Sequence, residues 1–261
     1  IASLVFVVIC GGCSPPPRPI LGKNQPETQV ETLLDPRVDA ETQSVEEKQP
    51  FTKPWETWQA YYIGGRHVGY SHVKVAAQSD DADSLINVKI EDQLAIRRGP
   101  STVIQRLDQT SLETRDGELV SFDAELRVGP AMTRYSGSVD GDVLSVVTTR
   151  GTKKSTQSVP WKPSFRGPAG LQQSLLATPI DRGQKRRLQS LVPIRFDVAT
   201  FELDCRHLAS IAMPDGTIHQ AREIEVAMKL ENSPPISTVI WADETGNVIK
   251  TLTPALDLAA F

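Results

Sequence analysis

Apolar and polar residues alternate with period two through much of the chain. Ile86, Val88 and Ile90 alternate with Asn87, Lys89 and Glu91. Val120, Phe122, Ala124, Leu126 and Val128 alternate with Ser121, Asp123, Glu125 and Arg127, and Ile224, Val226, Met228 and Leu230 with Glu225, Ala227 and Lys229. Successive side chains of a strand point to opposite faces, so each run has one dry and one wet face, as antiparallel sheets do. Asp116-Gly117, Asp140-Gly141 and Asp215-Gly216 stand between such runs, and Gly64-Gly65 and Thr245-Gly246 read as further reversals. Asp-Gly tolerates the positive φ of a tight hairpin. One segment reads as a helix, Pro168 to Ala177, bounded by Gly167 and Pro179, with Leu171, Leu175 and Leu176 on its apolar face. The pattern predicts an all-β fold, an antiparallel sandwich or open barrel of about ten to twelve strands with one short helix. A split into two lobes is expected, if anywhere, near Pro160–Gly183.

Composition divides the chain into three parts. Residues 14–50 hold seven of the 19 prolines, seven acidic and four basic side chains and no aromatic residue. Such a segment cannot bury enough apolar surface to offset its chain entropy, which predicts a disordered tether of ~30–35 Å mean reach. Residues 51–261 hold nearly all the aromatics and form the expected β body. Net charge is −4, which gives no global indication of nucleic-acid binding.

The start, IASLVFVVICGGCSPPPRP, carries an apolar stretch of signal-peptide length, Ile1 to Cys10, too short to span a bilayer. It resembles a bacterial lipoprotein signal over residues 1–13, clipped at its own start. Cys13 follows the small Gly12 and is the expected lipidation site; Cys10 follows the bulky Ile9 and fits poorly. The competing reading, Leu4 to Ile9 as a buried strand, has no partner nearby. The expectation is an exported protein held on a membrane by a lipid anchor, periplasmic or at the cell surface.

Candidate chemistry in the body is sparse. Cys205 and His207, at i and i+2 on one strand, would share a face. A nucleophilic pair needs a third orienting group and a feature that lowers the thiol pKa, and the sequence places neither. His219 is the nearest further ligand for a metal. A two-residue turn at Asp215-Gly216 would set Met213 opposite Ile218, Ala212 opposite His219 and His207 opposite Ile224. His207 and His219 would then stand roughly 16 Å apart, too far for one ion. Cys205 therefore reads as a small core residue. His67 and His72, five apart, fall on opposite strand faces and read as surface histidines. Lys185-Arg186-Arg187 is the densest basic cluster, either a solvated turn or a contact for anionic lipid. No phosphate-binding loop, dinucleotide fingerprint, HExxH or G-x-S-x-G is present. No catalytic residue, metal or cofactor is assigned.

Three segments carry a family resemblance: WQAYYIGGRHVGYSHVKV (Trp58–Val75), TSLETRDGELVS (Thr110–Ser121) and WADETGNVIKTLTPAL (Trp241–Leu256). Together they resemble the N-terminal β-rich domain of planctomycete-type transglutaminase-like lipoproteins. The resemblance implies an accessory domain preceding a Cys-His-Asp thiol enzyme core outside these residues, and the chain's stop at Phe261 is read as lying ahead of that core. The alternative is a stand-alone lipoprotein whose barrel encloses a lipid or other hydrophobic ligand. A third expectation, the weakest, is a hydrolase built on Cys205.

Overall fold

The structure is a computed structural model, described here for residues 53–79, 85–192, 194–231 and 233–261. Eight strands run first: β1 Trp55–Ile63, β2 Arg66–Ala77, β3 Ile86–Arg98, β4 Ser101–Glu113, β5 Leu119–Val128, β6 Ala131–Asp140, β7 Val143–Arg150 and β8 Lys153–Pro160. A connection carrying helix α1, Gly170–Ala177, leads to β9 Lys185–Val192, β10 Asp197–Ala212, β11 Ile218–Lys229, β12 Ile236–Ala242, β13 Val248–Thr253 and β14 Leu258–Ala260. All strand pairs are antiparallel sequence neighbours except one: β14 returns to pair with β1. That pairing joins two meanders into a single 14-stranded sheet ending in β8 and β9. The fold is all-β and open, with more strands than the sequence pattern predicts. The expected divide near Pro160–Gly183 separates the two meanders along the chain, but they share one sheet.

The turns explain the registers. Gly64 and Gly65 both take positive φ, so Ile63 pairs directly with Arg66 across a two-residue loop. Asp215-Gly216 does otherwise. Gly216 N–H donates to Met213 O while Met213 N–H donates to Thr217 O, a longer loop with Gly216 in the left-handed region. The extra residue moves the register by one: Ala212 pairs with Ile218 and Ile211 with His219, not Met213 with Ile218. The same loop recurs at Asp243–Asn247. Helix α1 starts at Gly170 rather than Pro168, because Pro168 and Ala169 form a turn ahead of it.

The concave side is filled by the chain itself. In the second meander, Leu171 and Leu175 of α1 pack on Leu203, Cys205, Ile224, Ile240 and Val248. In the first, Trp161 and Phe165 from the connection and Phe196 from the β9–β10 turn join Leu107, Phe122, Tyr135 and Leu144. Phe196 has a positive φ of 51°, a strained value for a bulky residue. Its ring stacks on Phe122 at 5.3 Å and lies 4.8 Å from Tyr135, so burial and ring contacts offset the strain. From the connection, Arg166 bridges Glu118 in the β4–β5 turn of the first meander and Ser190 in β9, the end strand of the second. The connection thus clasps the open side.

Candidate functional site

The residues with chemical potential are separated by the sheet. A β-bulge in β10 lies between Cys205, paired with Ile224, and His207, paired with Glu223. The extra residue reverses the alternation. Cys205 is buried inside and His207 exposed outside, so the shared face expected from i, i+2 spacing is corrected by the bulge. Burial pushes the Cys205 thiol pKa up, opposite to what a nucleophile needs. Cys205 is a free core thiol. His219 is exposed and lies near Thr217, its ring nitrogen 3.2 Å from that hydroxyl. Among the described residues, no group of three or more His, Cys, Asp or Glu is placed to hold a metal.

A second bulge corrects the histidines of β2. Tyr61 pairs with Gly69 but Tyr62 with His67, leaving Val68 as the extra residue. His67 and His72 therefore both face outward, His67 beside Tyr62 and His72 beside Trp58. Their partners Trp58 and Tyr62 are still four positions apart on β1, roughly 13 Å along the strand. The basic cluster is divided among different tasks. Arg186 donates to the carbonyls of Ser174 and Thr178 at 2.7 Å each, satisfying the C-terminus of α1, and Lys185 meets Asp204 at 3.3 Å. Cys13 lies outside the described residues, as do the signal-like segment and the linker over residues 14–50.

What the sequence reading missed is an aromatic band across the outer face. Tyr62 lies 5.7 Å edge-on from Phe261, and the Lys250 ammonium sits 4.9 Å from the Phe261 ring centre and 5.0 Å from that of Trp241. Trp241 Nε1 donates to Glu223 Oε2 at 3.0 Å, and Glu223 reaches His207 at 3.7 Å. The band crosses β1, β14, β13, β12, β11 and β10. Further along β1 stands Trp58, 60% exposed, its ring stacked at 3.8 Å and 8° on His72. His72 Nε2 lies 2.8 Å from Glu56 Oε1, and this contact holds the Glu56 carboxyl below its ordinary pKa. Trp58 is thus a large apolar side chain held in a fixed orientation and facing solvent. Alternation in the sequence gave one signal for it, since Trp58 and Tyr62 share parity on β1 opposite the inward Gln59 and Tyr61.

The other unusual group is Glu113, fully buried at the end of β4 where the clasp meets the sheet. Ser111 Oγ donates to its Oε1 at 2.9 Å and Gln173 Nε2 to its Oε2 at 3.4 Å. A Cβ on Gly167 would stand 2.0 Å from the carboxylate, so only glycine lets the clasp lie against it. Desolvation outweighs these hydrogen bonds and the Arg166 charge, and pushes the Glu113 pKa up to about 7. Glu113 is sealed from solvent, which makes it a structural joint.

The architecture has a counterpart among solved structures. Over 81% of this chain and 95% of the other, it superimposes at a TM-score of 0.56 on the crystal structure of a beta-barrel-like protein of the domain of unknown function DUF1849 from Brucella abortus. The two share a fold. Their sequences are 10% identical, so the likeness extends to the fold alone. A DUF1089 family protein from Pseudomonas aeruginosa matches at a TM-score of 0.33 and 12% identity, covering 89% of this chain and 98% of that one, and supports no argument. No family model matches the chain, and neither does any curated protein.

Proposed function

We propose that this chain is the accessory, partner-binding β domain of an exported lipoprotein, tethered through Cys13 and acting alongside a thiol enzyme core of transglutaminase type. One observation carries the choice of binding over enclosure: Trp161, Phe165 and Phe196 fill the concave side, while Trp58, Tyr62 and Phe261 line the convex side. A carrier of an enclosed hydrophobic ligand needs an apolar cavity of several hundred Å³. The side chains that would line such a cavity pack against one another instead. An exposed Trp58 beside half-buried Tyr62 and Phe261 on the outer face supports a contact surface. The lipoprotein-like start and the long acidic, Pro-rich linker support a domain held off a membrane.

The test is metabolic labelling with a palmitate analogue, in the native host, of wild type and Cys13→Ser. The label and the membrane fraction are expected to be lost in the variant. Retention of both would overturn the tether. Hydrolysis or transfer of amide substrates by residues 51–261, abolished in Cys205→Ala, would overturn the accessory role.

A further inference from the structure

We infer that residues 166–170, the span that forms the clasp, are a flap latched by the Glu113 carboxyl, closed while that group holds its proton and opened when it loses it. The flap is a short bridge between two anchors. Ahead of it, Phe165 is packed with Trp161 in the core of the first meander; after it, Leu171 is packed in the core of the second. Between them stand Arg166, Gly167, Pro168, Ala169 and Gly170, and Ala169 lies against the cluster of Val75, Ile86 and Val88. Hydrogen bonds hold the rest of the span. Arg166 N–H donates to Gln189 O, Gly167 N–H to Gly117 O and Leu191 N–H to Arg166 O, while Ser190 Oγ donates to Gly167 O at 2.6 Å. A segment that buries so little apolar surface opens at a fraction of the cost of global unfolding, with both anchors left in place.

Glu113 sits beneath this flap with unequal walls around it. On the sheet side its register neighbours are Ile86 of β3 and Leu119 of β5, both apolar, and Ser111 of β4 donates to it as a neutral hydroxyl. From α1 comes the neutral Gln173 amide. The charge that acts on it is Arg166, whose guanidinium is engaged by the Asp116 carbonyl. Gly167 lies so close that a Cβ there would overlap the carboxylate. A charge formed in this place has to reach water or remain unsolvated. The sheet wall is bonded on both sides of β4, whereas the flap is the single span just described, so the flap is the wall that yields. Burial has pushed the Glu113 pKa up to about 7 from 4.5, which places the release near neutrality. Opening lifts Ala169 off Val75, Ile86 and Val88 and lets solvent into the concave side. The flap is therefore tight in acid and loosens as pH rises. The latch depends neither on the lipid tether nor on the outer aromatic face.

The experiment is native-state amide hydrogen exchange on the full chain, wild type and Glu113→Gln, from about pH 5 to about pH 8. The reporters are the amides of Arg166, Gly167 and Leu191, with those of the buried Val88 and Ile224 as the core reference. The chemistry of exchange itself speeds every amide about tenfold per pH unit. In the wild type the latch should add about another tenfold per unit between about pH 5 and 7, about 300-fold in all, and the variant should lack this extra slope. At each pH the reporters should exchange about 100-fold faster than the core amides. Equal slopes in the two proteins would overturn the latch. Reporters as slow as Val88 and Ile224 would overturn it too, because the flap would then move with global unfolding alone. If the variant does not fold, the wild-type slope decides by itself: about 100-fold per unit supports the latch, and a plain tenfold refutes it.

Discussion

Glu113 shows how one side chain couples stability to pH. Its carboxyl titrates near 7 in the folded chain and near 4.5 when unfolded. Between those values the folded state holds a proton that the unfolded state has released, so stability falls as pH rises through the window. Below pH 4.5 this group costs nothing; above 7 the cost reaches about 3 kcal/mol. Glu113→Gln keeps the contacts to Ser111 and Gln173 and removes the titration. Urea denaturation should show the variant gaining on wild type from pH 5 to pH 8, and parallel profiles would refute the assignment. Cys205 makes a simpler case. Its thiol should react with an aromatic disulfide reagent only after unfolding, and Cys205→Ala should cost ~1 kcal/mol for the small cavity left. The core role of Cys205 was legible from residue type alone. Glu113 was not, because nothing in the run Ser111-Leu112-Glu113 tells that Gly167 and Gln173 will cover it.

Elements were legible where side-chain period and turn chemistry agree. β3, β5 and β11 lie where alternation placed them, with Ile86, Phe122 and Ile224 buried. The errors sit at irregularities of one residue. A bulge at Cys205–His207, another at Tyr61–Tyr62 and the longer loop at Asp215-Gly216 each reverse a face or shift a register, and an added residue leaves no mark in composition. Gly246 tests the loop chemistry. Its φ is +82°, and a Cβ there would stand 1.9 Å from the Leu175 carbonyl of α1. Gly183 has φ +80° but open space around it. Gly183→Ala should therefore cost ~1 kcal/mol from backbone strain, and Gly246→Ala clearly more, since α1 must also move. Thermal midpoints that fall equally would argue against the close approach of α1 and the β12–β13 loop.

At the scale of the whole molecule, two meanders become one body through three devices: the β14–β1 pairing, Phe196 inserted beside Phe122, and the Arg166 clasp. The Arg166 guanidinium donates to the Asp116 carbonyl while its backbone bonds Gln189 and Leu191. Arg166→Ala should lower stability by ~1–3 kcal/mol. It should also raise hydrogen exchange in the β4–β5 turn and β9 together, tracking the clasp rather than one strand. An effect confined to one side would show that the clasp does not couple the meanders.

The sequence by itself determined what depends on neighbours a few residues away: the antiparallel class, most strand positions, the single helix, the glycine reversals and the burial of Cys205. Period, turn residues and side-chain type are local quantities, and they survive into the fold because each agrees with the others. The tertiary structure alone decided which strand closes on β1, which outer side chains meet in the Tyr62–Phe261–Lys250–Trp241 band, and why the charge of Glu113 is costly. Those depend on contacts between residues far apart in the chain, where a one-residue bulge turns a face over and a returning strand joins the two meanders.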